Sequence, residues 1–246
     1  MSTNIAVFVS GSGTNLQAMI DRRLGRADGI VRTLKADIKA VISDRAEAYG
    51  LERARKHGIP AYAVDYGFYI QKHRGDREKA YREAEEEILS VLAKYDIDYI
   101  CLAGYMRLLT PDFLKHFRKG PVYGVINIHP ALLPSFPGMH GYEDTFNYGC
   151  KWGGITVHFV DEGKDTGPII AQAVYPIWPD DTVESVRLRG LSVEYELYSQ
   201  CINWIAEERL SFSRINSRTV ISITDPEYER FMRKLTEKAL TTHIGL

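Results

Sequence analysis

Three polar side chains stand at the ends of apolar runs in the middle of the chain. Asn127 and His129 close the run VINIH that begins at Val125. Asp165 lies in the segment DEGKDTG, just after the run ITVHFV. An asparagine amide can donate N–H to an oxygen that gains negative charge, and an imidazole exchanges a proton near neutral pH. A carboxylate can orient an imidazole, stabilise its cation or take up a proton through water. Residues two apart share a face of an extended strand, so Asn127 and His129 point the same way and Ile128 the other. Each also has a plain structural alternative. Asn127 could cap a turn, His129 could be a satisfied buried histidine, and Asp165 could close an Asx-turn before Gly167.

Two further imidazoles, His140 and His158, raise the question of a metal when taken with Asp161 and Asp165. No spacing among them matches a zinc motif, and His158 sits in an apolar strand beside Phe159, so no metal is expected. A covalent nucleophile is also poorly supported. Ser135 lacks the context of a nucleophile elbow, and Cys150 has no evident histidine partner in sequence.

A second constellation lies near the N-terminus. The run IAVFV is followed by SGSGTN, Ser10 to Asn15, and then by Leu16, Met19, Ile20 and Leu24 at helical spacing. Strand, glycine-rich turn and helix leave unpaired N–H groups and the positive end of a helix dipole facing outward, which suits a phosphate. The pattern Gly11-Ser12-Gly13-Thr14-Asn15 lacks the third glycine of a dinucleotide fingerprint and the Gly-Lys-Ser/Thr ending of a triphosphate loop. A sugar phosphate or mononucleotide-like phosphate fits it better than NAD or ATP. A tight turn without a ligand is the alternative.

The elements that must carry these groups alternate along the chain. Strands are expected at Asn4 to Val9, Ile38 to Ser43, Ala61 to Val64, Tyr99 to Ala103 and Val125 to Ile128. Helices fall between them, near 48–57, 78–94 and from Thr110, where Thr110-Pro111 reads as N-cap and N1 proline. The charged and aromatic stretch 65–82 reads equally as a solvated connection or as a source of phosphate-seeking Arg74 and Arg77. Such alternation predicts an α/β fold: an open, mostly parallel Rossmann-like sheet with helices on both faces. Ligands of such sheets bind beyond the C-terminal strand ends, so SGSGTN, AGYMRLL and NIHP should converge there. A short helix is expected near 142–148. Strands at Ile155 to Val160 and around Ile169 to Val174 predict an antiparallel C-terminal part. A long helix is expected over 182–208, broken or bent at Gly190, then an apolar run 219–223 and a charged helix 225–239.

The 246 residues suffice for one substantial core, or for one core with a terminal extension. Thirty-one basic and 32 acidic residues nearly cancel, so bulk charge makes no case for nucleic acid or membrane. No apolar stretch approaches the ~20 residues of a membrane span, and no signal-like segment opens the chain. Three scattered cysteines form no disulfide or metal pattern. The expectation is a cytoplasmic protein.

The stretches IAVFVSGSGTNLQAMI, AGYMRLL, NIHPALLPSFPG and ITVHFVDEGKDTGPIIAQ together resemble the phosphoribosylglycinamide formyltransferase branch of the folate-dependent formyltransferase family, over about residues 4–210. The resemblance implies transfer of the formyl group of 10-formyltetrahydrofolate, as cosubstrate, to the amine of glycinamide ribonucleotide, without a metal. It implies a catalytic trio of Asn127, His129 and Asp165. The turn Gly11, Ser12, Gly13, Thr14 and Asn15, helped by Arg77, would hold the ribonucleotide phosphate, and Glu194 the ribose. Met106, Arg107, Leu108 and Leu109 would form the folate cleft, with Gly141, Tyr142, Glu143 and Asp161 supplying further contacts. Residues 1–210 would be the catalytic domain, and 211–246 an extension packed on it or at an oligomer interface of a monomer or homodimer. The sequence departs from the family at Met139-His140-Gly141-Tyr142-Glu143, where many members carry a basic or histidine-containing stretch. It is also longer at 66–74 and after about 210. The neighbouring readings are a formyltetrahydrofolate deformylase, in which water replaces the amine, and a noncatalytic folate- or nucleotide-binding regulator. A methionyl-tRNA formyltransferase is disfavoured because no basic C-terminal domain is visible.

Overall fold

From Ile5 to Val9 every side chain of the first strand is buried, which happens only when both faces of a sheet are covered. In a computed structural model that describes residues 2–242, this strand is indeed the middle of the molecule. The elements run β1 (Thr3–Val9), α1 (Thr14–Arg23), β2 (Ala36–Ser43), α2 (Tyr49–Lys56), β3 (Ala61–Ala63), α3 (Tyr66–Lys72), α4 (Arg77–Leu92), β4 (Tyr99–Leu102), α5 (Pro111–Lys115), β5 (Arg118–Lys119), β6 (Val122–Tyr123), β7 (Val125–His129), α6 (Gly141–Asn147), β8 (Trp152–Phe159), β9 (Ile169–Pro176), α7 (Val183–Ala206), β10 (Leu210–Ile215), β11 (Arg218–Ile223) and α8 (Tyr228–Thr241).

Seven strands form one sheet in the order β3-β2-β1-β4-β7-β8-β9. The first five are parallel, and β8 and β9 are antiparallel to their neighbours. The α/β expectation, with its antiparallel part toward the C-terminal end, is met. One face is covered by α1, α7 and α8 through Leu16, Met19, Val193, Leu197, Trp204 and Phe231. The other is covered by α4 and α5 through Ile88, Leu92 and Phe113, with Tyr66 and Phe8.

Three regions differ from the sequence reading. The stretch 65–76 is more than a solvated connection: Asp65 caps α3 by accepting from Gly67 N at 2.7 Å, and Tyr66 is buried against the Tyr81 ring. Gly190 does not break α7, which is continuous over 24 residues. Its missing side chain instead admits the Tyr142 ring, because a Cβ at 190 would lie 2.2 Å from Tyr142 Cε1. The apolar run after 218 is one strand of a β10–β11 hairpin, and the last helix starts at Tyr228 rather than Asp225. Phe231 and Leu235 of α8 are buried as expected, with Phe231 edge-on to Trp204.

Besides its apolar packing, helix α7 is tied to the sheet centre by a hydroxyl. Tyr198 shares its O–H between the carbonyls of Leu102 (2.9 Å), the last residue of β4, and Ile126 (3.0 Å), the second of β7. That bond sets the height of α7 relative to the strand ends on which the polar groups stand.

Candidate active site

Three segments meet beyond the C-terminal ends of β1, β4 and β7, and each is held by side chains that satisfy its backbone. After β1 the chain turns through Gly13 at φ 66, a left-handed conformation that suits glycine. A Cβ there would lie 2.7 Å from Gly50 Cα, so the start of α2 packs directly under the turn. After β4, Ser10 Oγ accepts from Met106 N at 2.8 Å, and Glu85 accepts from Thr110 N at 2.8 Å. These two bonds fix both ends of 104–110. After β7, Thr156 donates to Ala131 O (2.7 Å) and accepts from Leu133 N (3.1 Å), while Gln172 donates to Leu133 O (2.8 Å).

Between them lies a cleft of about 600 Å³ whose walls include Ser12, Thr14, Asn15, Asn127, His129 and Asp165. Met106, Leu108 and Met139 expose apolar surface on it. His129 is 2% exposed, and its Nε2 is 2.8 Å from the carbonyl of Phe136. A carbonyl only accepts, so Nε2 carries the hydrogen, and the neutral ring has its lone pair on Nδ1. That Nδ1 is 3.8 Å from Asp165 Oδ2. Asp165 sits at φ 55, a conformation aspartate tolerates, and its Oδ2 also accepts from Gly138 N at 2.8 Å.

His158 is the residue the sequence reading left in the strand interior. Strands β7 and β8 pair antiparallel with Asn127 opposite His158. Its Nδ1 donates to Phe159 O at 2.8 Å, so Nε2 is the acceptor of the neutral ring. Nε2 lies 3.3 Å from Asn127 Nδ2 and 3.8 Å from Asp165 Oδ1. Burial pushes the His158 pKa below its ordinary value, which keeps the ring neutral. The alternation of ITVHFV was the available signal, because it gives Thr156 and His158 one face of β8. The register against β7 was not available from spacing alone.

Glu194 of α7 enters the cleft from the other side and is 4% exposed. One carboxylate oxygen accepts from the Tyr142 hydroxyl and the other from Asn15 Nδ2 at 2.7 Å. Burial raises its pKa, partly offset by those two donors. Arg107 also lines the cleft, held by Asp44 at 2.9 Å and stacked on the Tyr66 ring.

Gly11 and Gly13 line an adjoining hollow together with Ser12, Thr14 and Asn15. Leu109 and Tyr142 line the main cleft, the latter alongside Glu194. Arg77, Gly141, Glu143 and Asp161 do not line either space. Arg77 is the first residue of α4, and Gly141 is buried at the start of α6. Asp161 folds its own loop, accepting from Gly163 N (3.0 Å) and Thr166 Oγ1 (2.7 Å), and so shapes the turn that presents Asp165. Among the described residues no cluster of three or more His, Cys, Asp or Glu side chains is arranged to hold a metal. None of the described helices is long and apolar enough to cross a membrane.

The formyl transferase family model matches residues 3–202. Phosphoribosylglycinamide formyltransferase of Escherichia coli K12 is 35% identical over 207 residues, covering 84% of this chain and 89% of that protein. The Haemophilus influenzae protein of the same name is 39% identical over 206 residues, covering 84% and 88%. Among solved structures, glycinamide ribonucleotide transformylase 1 from Symbiobacterium toebii superposes with TM-score 0.75 at 42% identity, covering 91% of this chain and 94% of that one. The Anaplasma phagocytophilum phosphoribosylglycinamide formyltransferase gives 0.76 at 32% identity, covering 92% and 96%.

Proposed function

The chain belongs to the formyl transferase family, and from that premise we propose how its cleft moves a formyl group. It transfers the formyl group of 10-formyltetrahydrofolate to the amino group of 5′-phosphoribosylglycinamide, a step of purine biosynthesis. The observation that carries the site assignment is the meeting of an amide, an imidazole and a carboxylate, Asn127, His129 and Asp165, in a cleft shared with the glycine turn and the exposed apolar lip. The lip of Met106, Leu108 and Met139 suits a flat heteroaromatic ring, so the folate is assigned to that end. The turn from Gly11 to Asn15 is assigned to the phosphate and Glu194 to the ribose hydroxyls.

The reaction then needs no acyl-enzyme. The amine nitrogen attacks the formyl carbon, and the carbonyl electron pair moves onto oxygen. Asn127 Nδ2–H and the Nδ1–H of protonated His129 donate to that oxygen. Asp165, 3.8 Å from Nδ1, supplies the counter-charge to the imidazolium and takes the proton of the attacking amine through water. Collapse re-forms the carbonyl and breaks the bond to the folate nitrogen, which receives that proton. Holding both substrates in one cleft supplies the proximity contribution.

Incubation with 10-formyltetrahydrofolate, with and without glycinamide ribonucleotide, tests this. Folate release that requires the amine is the expected result. Release without amine would make the protein a deformylase, and no release in either arm would reduce it to a binding protein. The reaction is assigned to the cytoplasm and to a monomer or homodimer, which sedimentation checks. Residues 1–210 are taken as the catalytic domain and 211–246 as its extension.

A further inference from the structure

We propose that Arg45 supplies the guanidinium that closes the phosphate subsite, in place of Arg77. The proposal rests on the reading of the acceptor as a sugar phosphate. Beside the main cleft, and joined to it through Ser12, Thr14, Asn15, Gly104 and Met106, is a hollow of about 280 Å³. Its floor is the turn from Ser10 to Asn15, and its one cationic lining residue is Arg45, from the connection between β2 and α2.

Three other arginines nearby are already committed, and Lys164 lines the main cleft but not this hollow. Arg53 donates from Nε to Ser12 O (2.8 Å) and from Nη1 to Gln17 (3.1 Å), with its guanidinium over the Tyr49 ring. Its place is under the turn, as a brace. Arg187 is held by two bonds to Glu184 at 2.8 and 2.6 Å. Arg107 is held by buried Asp44. Among the described residues the exposed Arg45 side chain makes no hydrogen bond or ion pair, although its backbone is pinned by Arg45 N donating to Ser43 Oγ at 3.1 Å. A fixed backbone with a free guanidinium at the mouth of an amide-lined hollow is the arrangement that captures a phosphate by a two-pronged contact. Gly50 N donates to Gly11 O at 3.0 Å, which ties the chain carrying Arg45 to the turn, so the cation and the amides keep a fixed separation.

The test is Arg45→Met, with Arg77→Met in parallel. With glycinamide ribonucleotide, Arg45→Met should raise KM roughly 10- to 100-fold, the size of a lost charge-assisted contact, while KM for the folate stays put. With the phosphate-free riboside as acceptor, that penalty should vanish. Calorimetric titration with ribose 5-phosphate requires no turnover and should show the same loss of affinity. If the wild-type protein fails to formylate the ribonucleotide yet binds ribose 5-phosphate through Arg45, the functional reading falls and the subsite stands. If Arg45→Met leaves both KM and ribose 5-phosphate affinity unchanged, or the loss appears only in Arg77→Met, the proposal is overturned.

Discussion

Asn127 and His158 face each other on antiparallel neighbours, and the asparagine Nδ2 points at the imidazole Nε2 across 3.3 Å. Because Phe159 O takes the Nδ1 hydrogen, Nε2 can only accept while the ring is neutral, and burial keeps it neutral. The contact therefore decides which end of the Asn127 amide is its donor end.

His158→Leu removes that acceptor and frees the amide to turn its oxygen toward the cleft. The expected outcome is a fall in kcat of roughly tenfold, a fraction of what a whole oxyanion donor is worth, with both KM values little changed. Steady-state kinetics at saturating substrates checks it. An unchanged kcat would show that Asn127 needs no orienting partner.

Asp165→Asn isolates the charge from the geometry. The asparagine oxygen can still accept from Gly138 N, so the loops on either side keep their contact. Without the carboxylate, kcat should drop roughly 100-fold or more, the usual scale for a proton-transfer group, while ribonucleotide affinity persists. Full turnover in this variant would remove Asp165 from the reaction.

Gly190→Ala pits two effects against each other. In an exposed helix interior the change would stabilise by about 1 kcal/mol. Here the added methyl would meet the Tyr142 ring at 2.2 Å, and overpacking of that kind costs about 1–3 kcal/mol. Net destabilisation is expected, together with weaker ribonucleotide binding, since Tyr142 holds Glu194. A denaturation midpoint equal to or above that of the parent would show that the ring simply moves aside.

Glu194 imposes a pH dependence. Burial lifts its pKa above the ordinary 4.5, so above pH 4.5 the folded chain retains a proton that the unfolded chain releases. Its contribution to stability is complete below pH 4.5 and is lost as pH rises through the folded-state value. Glu194→Gln cannot titrate, and the unpartnered Asn15 Oδ1 lets the Asn15 amide flip to receive the new N–H. Urea midpoints of parent and variant should converge or cross as pH increases. A difference that is flat with pH would show that Glu194 titrates alike in both states.

The parallel part of the sheet was legible because each buried strand is a short apolar run with a helix of 3.6 period behind it, as IAVFV and LQAMI are. The glycine turn was legible because few other features place Gly, Ser and Thr between such a strand and helix. His158 was not, because its partner stands 31 residues away and only the β7–β8 register brings them together. Helix α3 was obscured by its own charge: with Lys72, His73 and Arg74 at its end, it hides a single buried anchor, Tyr66. Gly190 was misjudged because propensity sees a weak helix former, whereas a tertiary neighbour needed the space. Arg77, at the start of α4, and Arg45, in a loop, show the same limit for binding, since the position of a charged side chain in the sequence carries no record of which hollow it borders.

The β1 turn and the β7 exit are separated by more than a hundred residues, and Asp165 lies still further on, beyond β8. A ribosome will therefore have extruded the amides assigned to the phosphate long before the groups assigned to the formyl carbon exist. Pairing of β1 with β2 and β4 can be watched as protected amides in a nascent chain that has no possible turnover. On the proposed assignment, activity in contrast begins only once β8 has zipped against β7 and carried His158 and Asp165 into place.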